Sequence, residues 1–282
     1  MQLRAALDEA AACLSGGPHP ERARRDAEVL LCYVTGLTHA TLLAHTTDEL
    51  NAAHSAELTT LIERRHAGEP IQYITGETEF YGLPFHVTRD VLIPRPETEH
   101  LVERVIELAH RFPAPRIVDV GTGSGAIAVA LAHALPHAAI TTIDLSPAAL
   151  AVAHRNAACC ALAKRIRFIE GDLLAPVTGE SFDLIVSNPP YVPTEDRNSL
   201  SVEVRDFEPE LALFAGADGL DIYRRLIPAA FDALAPGGSF LCEIGFGQTD
   251  AVRSLLADAG FTNVVFTSDL QGIPRVAEGQ HP

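Results

Sequence analysis

The sequence predicts an α/β fold: an open sheet with helices on both faces, preceded by a small N-terminal helical bundle and a β-hairpin connector. Three observations predict it. Apolar residues recur at helical spacing over residues 1–68. A strand-like run, a glycine-rich turn and a helical stretch succeed one another over residues 116–135, which is the nucleotide-binding opening of an α/β sheet. Strand-like and helical segments then alternate to the last residues. The expected division is a helical domain at 1–68, a connector at 69–96 and a second domain at 97–282.

In the first region Leu3, Leu7 and Ala10-Ala11 share one helical face. Val29, Leu30, Val34 and Leu37 continue the pattern, then Leu50, Leu58, Leu61 and Ile62. Ser15-Gly16-Gly17-Pro18 and Thr46-Thr47-Asp48 punctuate it. Taken alone, such a bundle is a lid or a cap that adds stability. The connector carries strand-like pieces at 72–74 and 85–87, broken by Gly and Pro. A helix over 97–110 opens the second domain. Arg95, Glu97 and Thr98 there suit either a helix cap, with Glu97 favouring the N-terminal dipole, or contact with a cofactor. Strands follow at 116–120, 138–143, 166–169, 182–186, 239–243 and 261–267, with helices at 126–135 and 251–259 among them.

The polar groups gather at the strand ends. Gly121, Thr122, Gly123, Ser124 and Gly125 follow the first strand; glycine lets a backbone approach a ligand where a Cβ clashes. This loop lacks the last glycine of the dinucleotide fingerprint. Asp144 ends the second strand, where a carboxylate can accept from both hydroxyls of a ribose or simply hold the turn before Ser146-Pro147. Gly171-Asp172 after the third strand is an ordinary turn or the place where Asp172 accepts from an adenine amino group, with Leu173 against the ring. Asn188-Pro189-Pro190-Tyr191 follows the fourth strand. Proline has no N–H and a fixed φ, so this tetrad is a stiff wall of acceptors. Asn188 Oδ1 and the Pro189 carbonyl can take both hydrogens of one NH₂ group, with Tyr191 as a flat face beside it. The bland alternative is two prolines ending an edge strand. Four such loops in succession place a nucleoside over the first three strands and the acceptor tetrad over the fourth.

This ordered set, Asp119-Val120-Gly121-Thr122-Gly123-Ser124-Gly125, Ile143-Asp144-Leu145-Ser146, Gly171-Asp172-Leu173 and Asn188-Pro189-Pro190-Tyr191, resembles a class I S-adenosylmethionine-dependent methyltransferase of the amino-methylating kind. The resemblance narrows through Arg64-Arg65, Glu69-Pro70-Ile71-Gln72-Tyr73-Ile74 with Gly76, Phe80-Tyr81-Gly82 and Val91-Leu92-Ile93-Pro94-Arg95-Pro96-Glu97-Thr98-Glu99. Pro209-Glu210-Leu211-Ala212-Leu213, Gly216 with Asp218-Gly219-Leu220, and Glu243-Ile244-Gly245 extend it. Together they are similar to the HemK/PrmC family of peptide chain release factor glutamine methyltransferases, over roughly residues 60–280. Leu173 departs from a tryptophan found in some relatives. The resemblance implies a Rossmann-like class I methyltransferase sheet and S-adenosyl-L-methionine as cofactor. It implies methylation of the side-chain amide nitrogen (N5) of the glutamine in the Gly-Gly-Gln motif of a release factor, docked by the N-terminal helices. Asn188, Pro189, Pro190 and Tyr191 are then the catalytic residues. The cofactor falls to Gly121, Thr122, Gly123, Ser124, Gly125, Asp144, Asp172, Leu173, Asn188 and Thr98.

Composition narrows the partners. With 37 acidic against 21 basic residues the net charge is −16, the wrong sign for gripping nucleic-acid phosphates. No apolar run reaches the ~18 residues of a membrane span, and the first nine residues lack the apolar stretch of a signal peptide. Five scattered cysteines fit reduced cytoplasmic thiols, and neither they nor the twelve histidines have metal-ligand spacing. The expectation is therefore a cytoplasmic monomer with a protein substrate, no direct nucleic acid, no membrane and no metal. Glutamine methylation of a ribosomal protein, N6-methylation of a flipped adenine and a non-catalytic binder are the alternatives.

Overall fold

The computed structural model describes residues 1–282. In chain order, helices α1 (Leu3–Leu14), α2 (Ala23–Thr35), α3 (His39–Ala44), α4 (Ala52–His66) and α5 (Ile71–Thr75) come first. The hairpin β1 (Glu77–Phe80) and β2 (Leu83–His86) follows, then α6 (Glu99–Ala109). Next are β3 (Arg116–Val120), α7 (Ala126–Ala134), β4 (Ala139–Asp144), α8 (Pro147–Cys159), β5 (Ile166–Glu170) and β6 (Phe182–Ser187). The chain closes with α9 (Val202–Phe207), α10 (Asp221–Ala233), β7 (Leu234–Glu243), α11 (Thr249–Asp258), β8 (Thr262–Ser268) and β9 (Pro274–Gln280). It divides into two compact units: Met1–Glu77 with Leu200–Phe207, and Thr78–Ser199 with Glu208–Pro282.

The smaller unit is the helical bundle that the apolar spacing announced. Leu3, Leu7, Leu30, Leu31, Leu42, Leu58 and Leu61 are buried together. Thr38 and Asn51 cap α3 and α4, each side-chain oxygen accepting from a backbone N–H three residues on. At its centre lies a buried cation. Arg65 Nε donates to Asp26 at 2.6 Å, and its Nη1 donates to Glu203 at 2.5 Å and to the Glu69 carbonyl at 3.0 Å. Glu203 belongs to the segment Leu200–Phe207, which the chain reaches by leaving the larger unit after Ser199.

One expectation is corrected here. Residues 72–74 are not a strand. They lie in the single-turn helix α5, which Pro70 precedes and Gly76 ends at φ 76°. A proline before a helix needs no N–H partner, and a left-handed glycine stops it. The hairpin begins only at Glu77. Its turn, Tyr81-Gly82, has both φ values positive, 53° and 70°, the two-residue geometry that matches strand twist.

The larger unit is built on a seven-stranded sheet in the order β5-β4-β3-β6-β7-β9-β8. The first five strands are parallel, and β9 enters antiparallel between β7 and β8. Alternate residues feed two cores, as the pleat requires. Ile117, Leu184 and Leu241 pack with α6 and α7. Val118, Ile185 and Phe240 pack with α10 and α11 on the other face. The chain runs outward from β3 through β4 to β5, then restarts at β6 on β3's other side. The loops after β3 and β6 therefore diverge at a topological switch point, where open α/β sheets bind ligands.

Removing one partner from a buried ion cluster strands the others. Arg65→Leu is expected to destabilise the protein by about 3–5 kcal/mol, read as a lower denaturant midpoint. An unchanged midpoint would show that Asp26 and Glu203 do not need this cation.

Candidate active site

The glycine loop after β3 is shaped by hydrogen bonds from its own backbone. Gly121 N–H and Thr122 N–H both donate to the Ile143 carbonyl, at 2.8 and 3.1 Å. A Cβ on Gly125 would stand 3.0 Å from Ala153 Cβ, so this glycine is what lets α8 come close. Gly123 is different: a Cβ there meets no protein atom within 4 Å, and its φ of 53° is the constraint. Asn156, inside α8, holds the loop from behind. Its Nδ2 donates to the Ser124 carbonyl at 2.8 Å and to the His86 carbonyl at 2.9 Å, and its Oδ1 accepts from His86 N–H at 2.8 Å. One amide thus ties the loop to the hairpin.

Asp144 holds the turn before Ser146-Pro147, one of its two readings, and also holds the glycine loop, with capacity left over. Oδ2 accepts from Gly123 N–H and Oδ1 from Ser146 N–H, each at 2.8 Å. Ser146, not Asp144, caps α8. Each carboxylate oxygen keeps a further lone pair, and the residue lines a cavity of about 290 Å³. Asp172 and Leu173 line it too. Asp172 is ion-paired with Arg225, and Leu173 turns through φ 50°.

Across the switch point, Ser187 Oγ donates to the Val120 carbonyl at 2.7 Å, joining the ends of β6 and β3. Asn188, Pro189 and Pro190 form part of the cavity wall. Asn188 Nδ2 donates to Thr98 Oγ1 at 3.1 Å. Thr98 Oγ1 in turn donates to Glu243 Oε2 at 2.5 Å. Although Thr98 occupies the N-cap position of α6, it makes no side-chain capping bond. No protein hydrogen bond is made to Asn188 Oδ1 or to the Pro189 carbonyl, so both acceptors remain available beside the cavity.

Tyr191, Gly125 and the candidate Glu97 do not line the cavity. Tyr191 is anchored through its hydroxyl and its carbonyl. Its hydroxyl donates to Glu243 Oε1 at 3.1 Å, and its carbonyl accepts from Gln248 Nε2 at 2.9 Å. Burial pushes both the Tyr191 phenol and the Glu243 carboxyl upward in pKa; the bonds from Thr98 and Tyr191 act against the shift at Glu243. Arg95 lines the cavity, with Nη2 at 2.7 Å from each oxygen of the buried Glu208.

The sequence alone gives no role to Glu243, Asn156 or Asp119. Glu243 and Asp119 stand in motifs that carry the family resemblance, and Asn156 lies in a helix that looks like plain core. Asp119 sits within β3, fully buried, accepting from Thr122 Oγ1 at 2.8 Å and with its Oδ1 unpartnered. Burial is the main cause that raises its carboxyl from an ordinary 3.8 to about 7; Asp144 adds to this and Thr122 opposes it.

A parallel sheet with this switch-point cavity, a glycine loop, a carboxylate at the end of β4 and an acceptor tetrad at the end of β6 defines a class I S-adenosylmethionine-dependent methyltransferase. Residues 5–76 match the PrmC N-terminal domain and residues 98–204 the methyltransferase small domain. A release factor glutamine methyltransferase of Koribacter versatilis is 45% identical over 100% of this chain and 99% of its own length. Another, of Moorella thermoacetica, is 48% identical over 92% and 91%. The chain belongs to the release factor glutamine methyltransferase family. The fold is also that of the hMettl16 catalytic domain, solved with the MAT2A 3′UTR hairpin 6, at TM-score 0.57 and 16% identity over 81% of this chain and 82% of the other.

The spare acceptors of Asp144 and the apolar wall of Val91, Ile127, Leu145 and Ile222 fit a nucleoside. Asp144→Ala is expected to weaken S-adenosylmethionine binding by about 10- to 150-fold, the loss of about 1.5–3 kcal/mol for hydrogen bonds to a charged group. Unchanged affinity by calorimetry would remove Asp144 from the cofactor site.

Asp119 makes a prediction about pH. Its folded-state pKa lies above the unfolded value, so the stability from the protonated carboxyl is present below pH 3.8 and lost as pH rises through about 7. The gain in melting temperature from Asp119→Asn should grow across that window and level off above it. A gain independent of pH would show that Asp119 is not titrating there.

Proposed function

We propose that this protein methylates the side-chain amide nitrogen of the glutamine in the Gly-Gly-Gln motif of a peptide chain release factor, as a cytoplasmic monomer. The observation that carries this is the pair of unpartnered acceptors, Asn188 Oδ1 and the Pro189 carbonyl, in the wall of the cavity that also holds Asp144. The family's naming agrees with it.

An amide nitrogen shares its lone pair with the carbonyl, the resonance that flattens peptide bonds, so it is a poor nucleophile. S-Adenosylmethionine, when bound, supplies an activated methyl group. Holding the nitrogen in place is then the main work of the protein. Asn188 Oδ1 and the Pro189 carbonyl fix the plane of the NH₂ group by accepting both its hydrogens. As positive charge grows on nitrogen, these fixed dipoles stabilise it, and neither has to reorganise. The two prolines keep the carbonyl rigid and present no competing N–H. The nitrogen becomes acidic as it is alkylated, so no strong base is required beforehand. The glycine loop, Asp144, Asp172 and Leu173 serve the cofactor, and the N-terminal helices serve the release factor.

The net charge of −16 weighs against a nucleic-acid substrate. No helix is long and apolar enough to cross a membrane.

Asn188→Ala should leave folding and most cofactor affinity intact while kcat falls about 10²–10³-fold. The assay pairs radiolabelled cofactor with an intact release factor, a ribosomal-protein extract and DNA. Label in the factor alone is expected. Label in DNA, falling steeply with salt, would overturn the protein-substrate reading.

A further inference from the structure

The hydrogen bonds around Asn188 have a direction. Glu243 is 2% exposed, at the end of β7. Thr98 Oγ1 stands 2.5 Å from one of its oxygens and the Tyr191 hydroxyl 3.1 Å from the other. Two hydroxyl donors, one on each oxygen, match an ionised carboxylate, which only accepts; burial works against that form, and the two donors and Arg275 work for it. The single hydroxyl hydrogen of Thr98 is therefore committed to Glu243. Its oxygen is left with lone pairs only. Asn188, 3.1 Å away, must then turn its NH₂ toward Thr98 and its Oδ1 away from it. The amide of an isolated Asn has no such preference.

We infer that Thr98 and Glu243 are positioning residues: their one-way relay holds Asn188 Oδ1 outward as an acceptor and thereby selects a substrate that presents an NH₂ group. This rests on the functional reading above. Were the amide flipped, its own N–H groups would face those of the substrate, donor against donor. The same carboxylate holds Tyr191, so both ends of the tetrad hang on Glu243, one directly and one through Thr98. Neither residue needs to touch the reacting nitrogen.

The test is a double-mutant cycle in the full-length protein, with a recombinant bacterial release factor as methyl acceptor. Thr98→Val should lower kcat about 10–100-fold, as loss of an orienting outer partner does elsewhere. KM for the factor should change little, and Thr98→Ser should restore turnover. In an Asn188→Ala background, Thr98→Val should cost almost nothing more, because its effect passes through Asn188. Equal losses in both backgrounds, with the wild type still methylating glutamine, would overturn the relay and spare the function. A wild type that leaves the glutamine unmodified would overturn both.

A second pair keeps the inference falsifiable if Thr98→Val does not fold. Asn188→Asp puts one hydroxyl hydrogen between two carboxylates. Adding Glu243→Gln supplies an N–H donor to the Thr98 oxygen and releases that hydrogen toward residue 188. The double variant should therefore turn over faster than Asn188→Asp alone. A double variant that is no faster contradicts the relay.

Discussion

A carboxylate taken out of water must find donors, and Glu243 finds them in segments far apart in sequence. Burying an ion is costly unless its oxygens are hydrogen-bonded. Thr98, at the start of α6, and Tyr191, beyond β6, meet that demand directly. The Tyr223 hydroxyl, from α10, donates to the Glu243 carbonyl at 2.8 Å. Two segments converge on the acid at the end of β7 for this reason, and Asn188 is bonded to one of them through Thr98.

The sheet supplies the other constraint. Because β3 pairs in parallel with both β4 and β6, the loops that follow all emerge at the same end. The carboxylate of Asp144 and the acceptors at Asn188 and Pro189 stand on opposite sides of the switch point. Ser187 Oγ, bonded to the Val120 carbonyl, fixes their separation at the root. In the proposed function, strand order makes these the cofactor side and the substrate side.

What was legible in the sequence was local. The glycine loop, Asp144 and the Asn-Pro-Pro-Tyr tetrad each declare themselves within a few residues, because turn geometry and missing N–H groups are short-range properties. The apolar spacing announced the bundle, and strand–helix alternation announced the sheet. What stayed hidden was set by distant partners. Thr98 and Glu243 are 145 positions apart, His86 and Asn156 are 70, and Arg65 and Glu203 are 138. Glu243 stands in a motif that carries the resemblance, but nothing near it in the chain names the partners it meets. The single-turn helix at Ile71–Thr75 was hidden for the opposite reason. Five residues are too few for a period to show, and only the flanking Pro70 and Gly76 mark its ends. Tyr191 belongs to a recognisable motif, yet its role depends on the acid it meets.

In the proposed function the cavity holds one glutamine amide by its two hydrogens. The most direct measurement is the position of the transferred methyl. A release factor treated with the wild-type protein and S-adenosylmethionine, digested and sequenced by tandem mass spectrometry, should carry the methyl on the side-chain nitrogen of the Gly-Gly-Gln glutamine and on no other residue. A methyl on a carboxylate oxygen, which offers no hydrogens to Asn188 and Pro189, or on any residue other than that glutamine, would contradict this reading.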